Sequence, residues 1–324
     1  MVRSRRTPWW LLLVAPSVAL ASCSGNHQIL APHGPESGRV SALGWGMIIT
    51  ATIISLVVFG LLIAAILPGE RRGLRRIPPR TYLIAGGIVL PFVVLMTLSG
   101  LTVAATDATS RRGDLQIEVT GHQYWWELRY PGTKAVTANE IHIPAHTRVR
   151  LILRSVDVIH SAWVPALAGK IDLIPGRTNH LVIDANRPGT FRGQCAEFCG
   201  LEHARMAFVV VAQTPSAFRS WLREQSAPAR SDPSVAAGRR AFLSEACAGC
   251  HTIRGTTAVG DKGPDLTHLA SRRTLASLTL PNDRAQLTRW IRNPQDPKPG
   301  ARMPAVDLSP KELQEIVTYL RSLR

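Results

Sequence analysis

Between Cys195 and Met206 the chain places Cys195, Cys199, His203 and Met206 in a C-x3-C-x3-H-x2-M run. Thiolates, an imidazole and a thioether select copper over calcium or magnesium, because ligand softness decides which cation gains most from a site. Two thiolates are one too many for a mononuclear blue-copper centre, which uses a single Cys with two His and a weak axial ligand. A second histidine has to come from elsewhere. His160, in Asp157-Val158-Ile159-His160, follows an alternating apolar run at 149–153 that reads as a strand. Two bridging sulfurs, two terminal imidazoles, a Met sulfur and one backbone carbonyl would hold a pair of copper ions. The same residues also allow a zinc site or a Cys195–Cys199 disulfide. Zinc rarely recruits Met, and a disulfide leaves His203 and Met206 without a role.

A second constellation is Cys247-Ala248-Gly249-Cys250-His251. C-x-x-C-H is the pattern of covalent haem attachment, in which two thiols form thioethers and the adjacent imidazole takes the iron. A zinc or redox C-x-x-C is the competing reading. Met303, in Lys298-Pro299-Gly300-Ala301-Arg302-Met303-Pro304, follows at a distance that lets it complete the axial pair. His/Met ligation raises the reduction potential and leaves no open position for substrate, so this part of the chain reads as an electron carrier.

Several elements must position these groups. The 324 residues have 45% hydrophobic composition, and the apolar ones are concentrated in segments. Residues 1–22 have a basic start (Arg3, Arg5, Arg6), the core Trp9–Pro16 and the ending Leu20-Ala21-Ser22-Cys23. This is a secretory signal whose end resembles a bacterial lipobox, with Cys23 as the acylated residue; cleavage near Ala19 or Ala21 is the alternative. Two apolar stretches, Leu43–Leu67 and Tyr82–Ala105, each meet the ~20 residues a membrane helix needs, and predict a hairpin over residues 40–106. Arg71, Arg72, Arg75, Arg76 and Arg80 between them place the connecting loop in the cytoplasm and everything after Thr106 outside. Much of the net charge of +16 lies there and at the amino terminus. It reports membrane orientation, and with no basic helix interleaved with aromatics, nucleic acid is excluded as a partner. The five cysteines are all committed, leaving none for a structural disulfide.

From 112 to 215 short alternating runs separated by Pro-Gly, Asn and Asp turns predict an all-β Greek-key domain. It contains Gly121-His122-Gln123-Tyr124-Trp125-Trp126, an aromatic cluster read either as packing or as function. Residues 216–232, rich in Ser, Ala, Pro and Arg toward their end, read as a linker, and 233–324 as an all-α haem domain ending in a helix over Ser309–Leu323.

With these motifs in place the chain resembles subunit II of the haem-copper cytochrome c oxidases, carrying a fused class I cytochrome c domain. The resemblance implies a two-helix membrane hairpin, a cupredoxin barrel and a cytochrome c domain. It implies a binuclear copper centre, termed CuA, with His160, Cys195, Cys199, His203, Met206 and the Glu197 carbonyl as ligands. The Glu197 side chain would reach a magnesium ion shared with subunit I. Haem c would sit on Cys247, Cys250, His251 and Met303, with Gly263-Pro264-Asp265-Leu266 supplying the Pro carbonyl that orients the histidine. Tyr124, standing where many relatives have Trp, and Trp125 are the implied points of electron entry.

The implied function is relay of electrons from haem c to copper and on to subunit I, where oxygen is reduced to water and protons are moved. This chain itself offers no catalytic acid, base or nucleophile. The implied donor is a cytochrome c or a quinol–cytochrome c reductase. The implied location is the bacterial inner membrane, with both soluble domains on its outer side. A glutamate that relatives often carry early in the second membrane helix is missing from Tyr82–Leu90, so a proton route through this subunit is not expected. Rival readings are the copper subunit of a nitric oxide reductase and a copper assembly protein. A covalent electron carrier argues against the second.

Overall fold

The computed structural model describes residues 29–66, 78–107, 113–230 and 232–324. The signal segment, Cys23 and the arginines of the connecting loop other than Arg80 lie outside the described residues. Helix α1 (Pro35–Ile66) is followed by α2 (Pro79–Ile84), a π-helical turn (Ala85–Val89) and α3 (Leu90–Asp107), which form one continuous rod. Both rods are apolar all round, and Leu56, Phe59, Leu83, Phe92 and Leu95 point outward with no protein over them. A helix that is hydrophobic on every face needs an apolar surround, and these are long enough to find it in a bilayer.

The amino-terminal end of α1 is fastened to the β domain. The His33 amide donates to Ala166 O at 2.8 Å, Ser37 Oγ to Ala166 O at 2.7 Å and the Asn186 amide to His33 O at 2.9 Å. Glu36, Ser37 and Ser41 are buried there.

The β domain has ten strands: β1 (Leu115–His122), β2 (Trp125–Arg129), β3 (Val136–Ala138), β4 (Glu140–Pro144), β5 (Val149–Ser155), β6 (His160–Trp163), β7 (Lys170–Leu173), β8 (Asn179–Ile183), β9 (Gly189–Cys195) and β10 (Ala207–Gln213). They form two five-stranded sheets, ordered β3-β2-β1-β5-β8 and β4-β10-β9-β6-β7. The β1·β5 and β4·β10 pairs are parallel and the rest antiparallel. Alternate residues of β1 and β5, among them Ile117, Val119, Leu151 and Leu153, turn inward onto Trp126, Phe208 and Val210. That period of two is what makes a sandwich with one shared core. The result is the cupredoxin-like architecture expected.

The segment expected as a linker, 216–232, is largely helical. Pro215–Ser226 forms α4, capped by Thr214 Oγ1 on the Ala217 amide, with Pro at its first position. Phe218, Trp221 and Leu222, three and four residues apart, lay one face of α4 on the sandwich core, and Trp221 stacks on His142 at 4.0 Å. This apolar face, dominant over the polar residues around it, makes the segment a packed strut.

The last domain contains α5 (Ala236–Ser244), α6 (Cys247–Cys250), a short hairpin of β11 (Thr274–Leu275) and β12 (Leu280–Pro281), α7 (Arg284–Arg292) and α8 (Pro310–Ser322). Helix α8 starts in a capping box between Ser309 and Glu312. Phe242, Ile316, Val317, Tyr319 and Leu320 make the α5–α8 contact at the centre of its core.

Candidate functional site

The soft-ligand run lies in the connection between β9 and β10. Cys195 ends β9, and its amide donates to Met206 O at 2.9 Å, so the loop is pinched at its neck. Strand β6 pairs with β9 through Ala162 opposite Cys195, which brings His160, the first residue of β6, against the loop.

The sulfurs of Cys195 and Cys199 are 3.8 Å apart. Cys195 Sγ lies 3.9 Å from His160 Nδ1 and 3.2 Å from Glu197 O; Cys199 Sγ lies 3.8 Å from His203 Nδ1 and 3.8 Å from Met206 Sδ. Each sulfur therefore has one imidazole and one weak donor beside it, a set with two-fold character. The non-bonded sulfur separation excludes the disulfide. Cys195, Cys199, His160 and Met206 are buried, so a metal here is shielded from water. Two bridgeable sulfurs with two imidazoles, a thioether and a carbonyl fit a copper pair.

The pair is primed electrostatically. The hydrogen bond shared with Cys199 draws the Cys195 thiol well below the usual thiol range, and the same contact together with burial pushes Cys199 up.

Sequence reasoning quoted Asp157 without giving it a role. Its Oδ1 accepts from His160 Nε2 at 2.8 Å, which leaves Nδ1 turned toward Cys195 Sγ. The same carboxylate accepts the Val158 amide at 2.7 Å and the Gln123 amide at 2.6 Å. Burial opposes its charge, but these three donors outweigh it and hold Asp157 at about 2. A carboxylate three residues before a ligand histidine was a readable signal.

The second constellation lines a cleft of about 570 Å³, within the range for bound cofactors. Cys247, Cys250, His251 and Met303 all face it, among Phe242, Leu266, Trp290 and Ile316. His251 Nδ1 bonds Pro264 O at 2.8 Å, the orientation expected, and burial lowers its pKa so that the ring stays neutral. At Gly263 a Cβ would stand 2.5 Å from His251 Cε1, so only glycine leaves this ring its place. An apolar cleft with two thiols, a fixed neutral imidazole and a thioether suits a haem.

One wall of the cleft comes from the β domain: His122, Gln123, Tyr124 and Trp125. Trp125 stacks on His122 at 4.2 Å, and Tyr124 is only 8% exposed, its hydroxyl accepting the Leu201 amide at 3.1 Å. Tyr124 thus lies between the haem cleft and the copper loop, and Trp125 lines the cleft beside it. Lys298 and Ser277, which no sequence signal marked, reach across to Tyr124 O at 3.0 and 2.8 Å.

Two family models match the chain: the periplasmic domain of cytochrome c oxidase subunit II over residues 135–213 and cytochrome c over residues 235–324. A cytochrome c oxidase subunit 2 of Alkalihalophilus pseudofirmus is 34% identical over 323 residues, covering 94% of each chain. One from Bacillus sp. strain PS3 is 31% identical, covering 73% of this chain and 72% of the relative. Among solved structures, the periplasmic domain of subunit II of cytochrome oxidase from Bradyrhizobium japonicum matches 36% of this chain and 99% of its own, at 32% identity and a TM-score of 0.35.

Proposed function

We propose, from the premise that the chain belongs to the cytochrome c oxidase subunit II family, that it carries electrons from a haem on its last domain through a copper pair to subunit I. It is a subunit of a haem-copper oxidase, an oxidoreductase, with a cytochrome c domain on the same chain. A haem and a copper pair held at the two seats each supply a one-electron carrier.

The residues of this chain do the rest. Cys247, Cys250, His251 and Met303 would hold the haem, the two thiols through covalent attachment and the imidazole and thioether through its iron. His160, Cys195, Cys199, His203, Met206 and the Glu197 carbonyl would hold the copper pair in a largely buried loop that a rigid β scaffold supports. The Glu197 carboxylate is available to magnesium at the subunit I boundary. Oxygen reduction and proton translocation take place in subunit I. Both soluble domains stand on the outer side of the bacterial inner membrane, after cleavage before Cys23 and its acylation.

The observation that carries this reading is the shared wall: the haem cleft is closed on one side by Tyr124 and Trp125 of the copper domain. In the purified complex, a reduced cytochrome donor should reduce haem first and copper second. Deleting residues 231–324 while keeping the copper site loaded should preserve oxygen consumption with a small reductant acting directly on copper, and remove most of it with the cytochrome. A truncated complex that oxidises the cytochrome at the full rate overturns this order of carriers. Turnover of nitric oxide in place of oxygen overturns the acceptor.

A further inference from the structure

Lys298 is 2% exposed and lines the haem cleft without being one of the residues that would ligate the haem. Its Nζ donates to Tyr124 O at 3.0 Å, to Arg205 O at 3.0 Å and to Ala276 O at 3.1 Å. An ammonium has three donors, and here three main-chain carbonyls from three separate elements use all of them. Arg205 precedes Met206 at the neck of the copper loop; Tyr124 is the aromatic wall of the haem cleft; Ala276 belongs to the haem domain. Lys298 itself lies on the loop that ends in Met303, and the next turn of that loop sends the Arg302 guanidinium to Gln123 Oε1. Gln123 in turn donates from Nε2 to Cys199 O at 2.5 Å.

The turn that receives Lys298 is strained. Ala276, Ser277 and Leu278, which join β11 to β12, all have positive φ, at 52°, 58° and 65°. For residues with a Cβ this conformation is unfavourable and persists only where surroundings over-determine it. The surroundings are those of the copper domain. Ser277 Oγ lies 2.8 Å from Tyr124 O and 3.2 Å from Asn139 Oδ1, and Leu278 packs on the sandwich core. The hairpin tip is therefore a plug set into the other domain, with Lys298 across its base.

We propose that Lys298 is a positioning residue that locks the Met303 loop and the 276–278 plug onto the neck of the copper loop, so that electron transfer between the domains occurs from one docked geometry. This deepens the relay reading and rests on it. Lys298→Met keeps the stem and removes all three donors; Tyr124 O keeps Ser277 Oγ and Ala276 O keeps Thr279 Oγ1, so Arg205 O at the neck of the copper loop loses its donor and the three-way tie between the loops is gone. Bonds from a charged donor are among the strongest available, so the docked fraction, and with it the observed haem-to-copper rate, should fall about tenfold or more.

The test is rapid photoreduction of the haem in the intact complex, following the copper band. In the parent the transfer should be independent of viscosity. In Lys298→Met it should be slower and viscosity-dependent, because re-docking now precedes each event, while the spectra of both centres and the rate of haem reduction by an external donor stay unchanged. Ser277→Ala, a milder change at the same plug, should slow transfer by a smaller factor in the same direction. Unchanged transfer in both variants overturns the assignment of Lys298 and leaves the relay intact. No haem-to-copper transfer in the parent overturns the relay itself.

Discussion

At Gly238, in α5, a Cβ would lie 2.0 Å from Glu315 O, 2.6 Å from Glu315 C and 2.9 Å from Tyr319 Cβ. Two of these three atoms are main chain of α8, so no rotamer change relieves the clash, and Gly238→Ala must push the two helices apart. Alanine gains about 1 kcal/mol of helix propensity over glycine. Overpacking costs about 1–3 kcal/mol, and against fixed main chain the cost belongs at the upper end. The net loss is about 2 kcal/mol. For a domain of roughly this size each kcal/mol moves Tm by about 4–8 °C, so the haem domain should melt about 8–16 °C lower. Phe242 of α5 and Ile316 and Leu320 of α8 line the haem cleft, so haem absorbance reports the event directly. Thermal melts of the full-length protein followed at the haem bands give the number. A variant that melts at or above the parent temperature would show that α5 and α8 do not meet at Gly238, and the close-approach argument would fail.

Met303→His should keep the haem attached and lower its reduction potential, since thioether ligation is what raises it; redox titration with an unchanged midpoint would remove Met303 from the axial role. Asp157→Ala frees the His160 ring, and copper affinity measured by competition with a chelator should drop about 10–100-fold, the usual cost of losing such a support. Asp157 also gives a pH signature: its native pKa of about 2 lies below the ~3.9 of an unfolded carboxyl, so its stabilising contribution is complete above about pH 4 and is lost as pH falls toward 2. Denaturation midpoints of the copper-free protein at pH 5 and pH 2.5 should therefore differ more in the parent than in Asp157→Ala.

The copper loop was legible because its ligands fall within one short run whose chemistry excludes most metals, and C-x-x-C-H with a distant Met is equally specific. The structure brings His160 to Cys195 by the β6·β9 pairing, which periodicity alone did not reveal. Strands β3, β6, β7 and β9 escaped notice because β3, β6 and β7 are only three or four residues long and Gly189 and Gly193 interrupt the pattern of β9. Helix α4 had readable signals in Thr214-Pro215 and in the spacing of Phe218, Trp221 and Leu222. The Ser, Ala and Pro residues that follow masked them. Lys298 had none: its meaning depends on three carbonyls far apart in sequence, and carbonyls carry no letter in the sequence.

That asymmetry bears on how the two domains can diverge. The haem domain presents side chains at the junction: Lys298, Ser277 and Arg254, whose Nη1 meets Lys134 O. The copper domain answers Lys298 and Lys134's partner mainly with main-chain oxygens at Tyr124, Arg205 and Lys134. Any residue can supply a carbonyl, so drift at positions 124, 134 and 205 leaves these acceptors in place, whereas Gln123, Asn139, Glu140 and Thr190, which meet the haem domain through their side chains, are not free to drift. The aromatic at position 124 can thus be exchanged without removing the acceptor for Lys298 and Ser277, losing only the bond its hydroxyl accepts from the Leu201 amide.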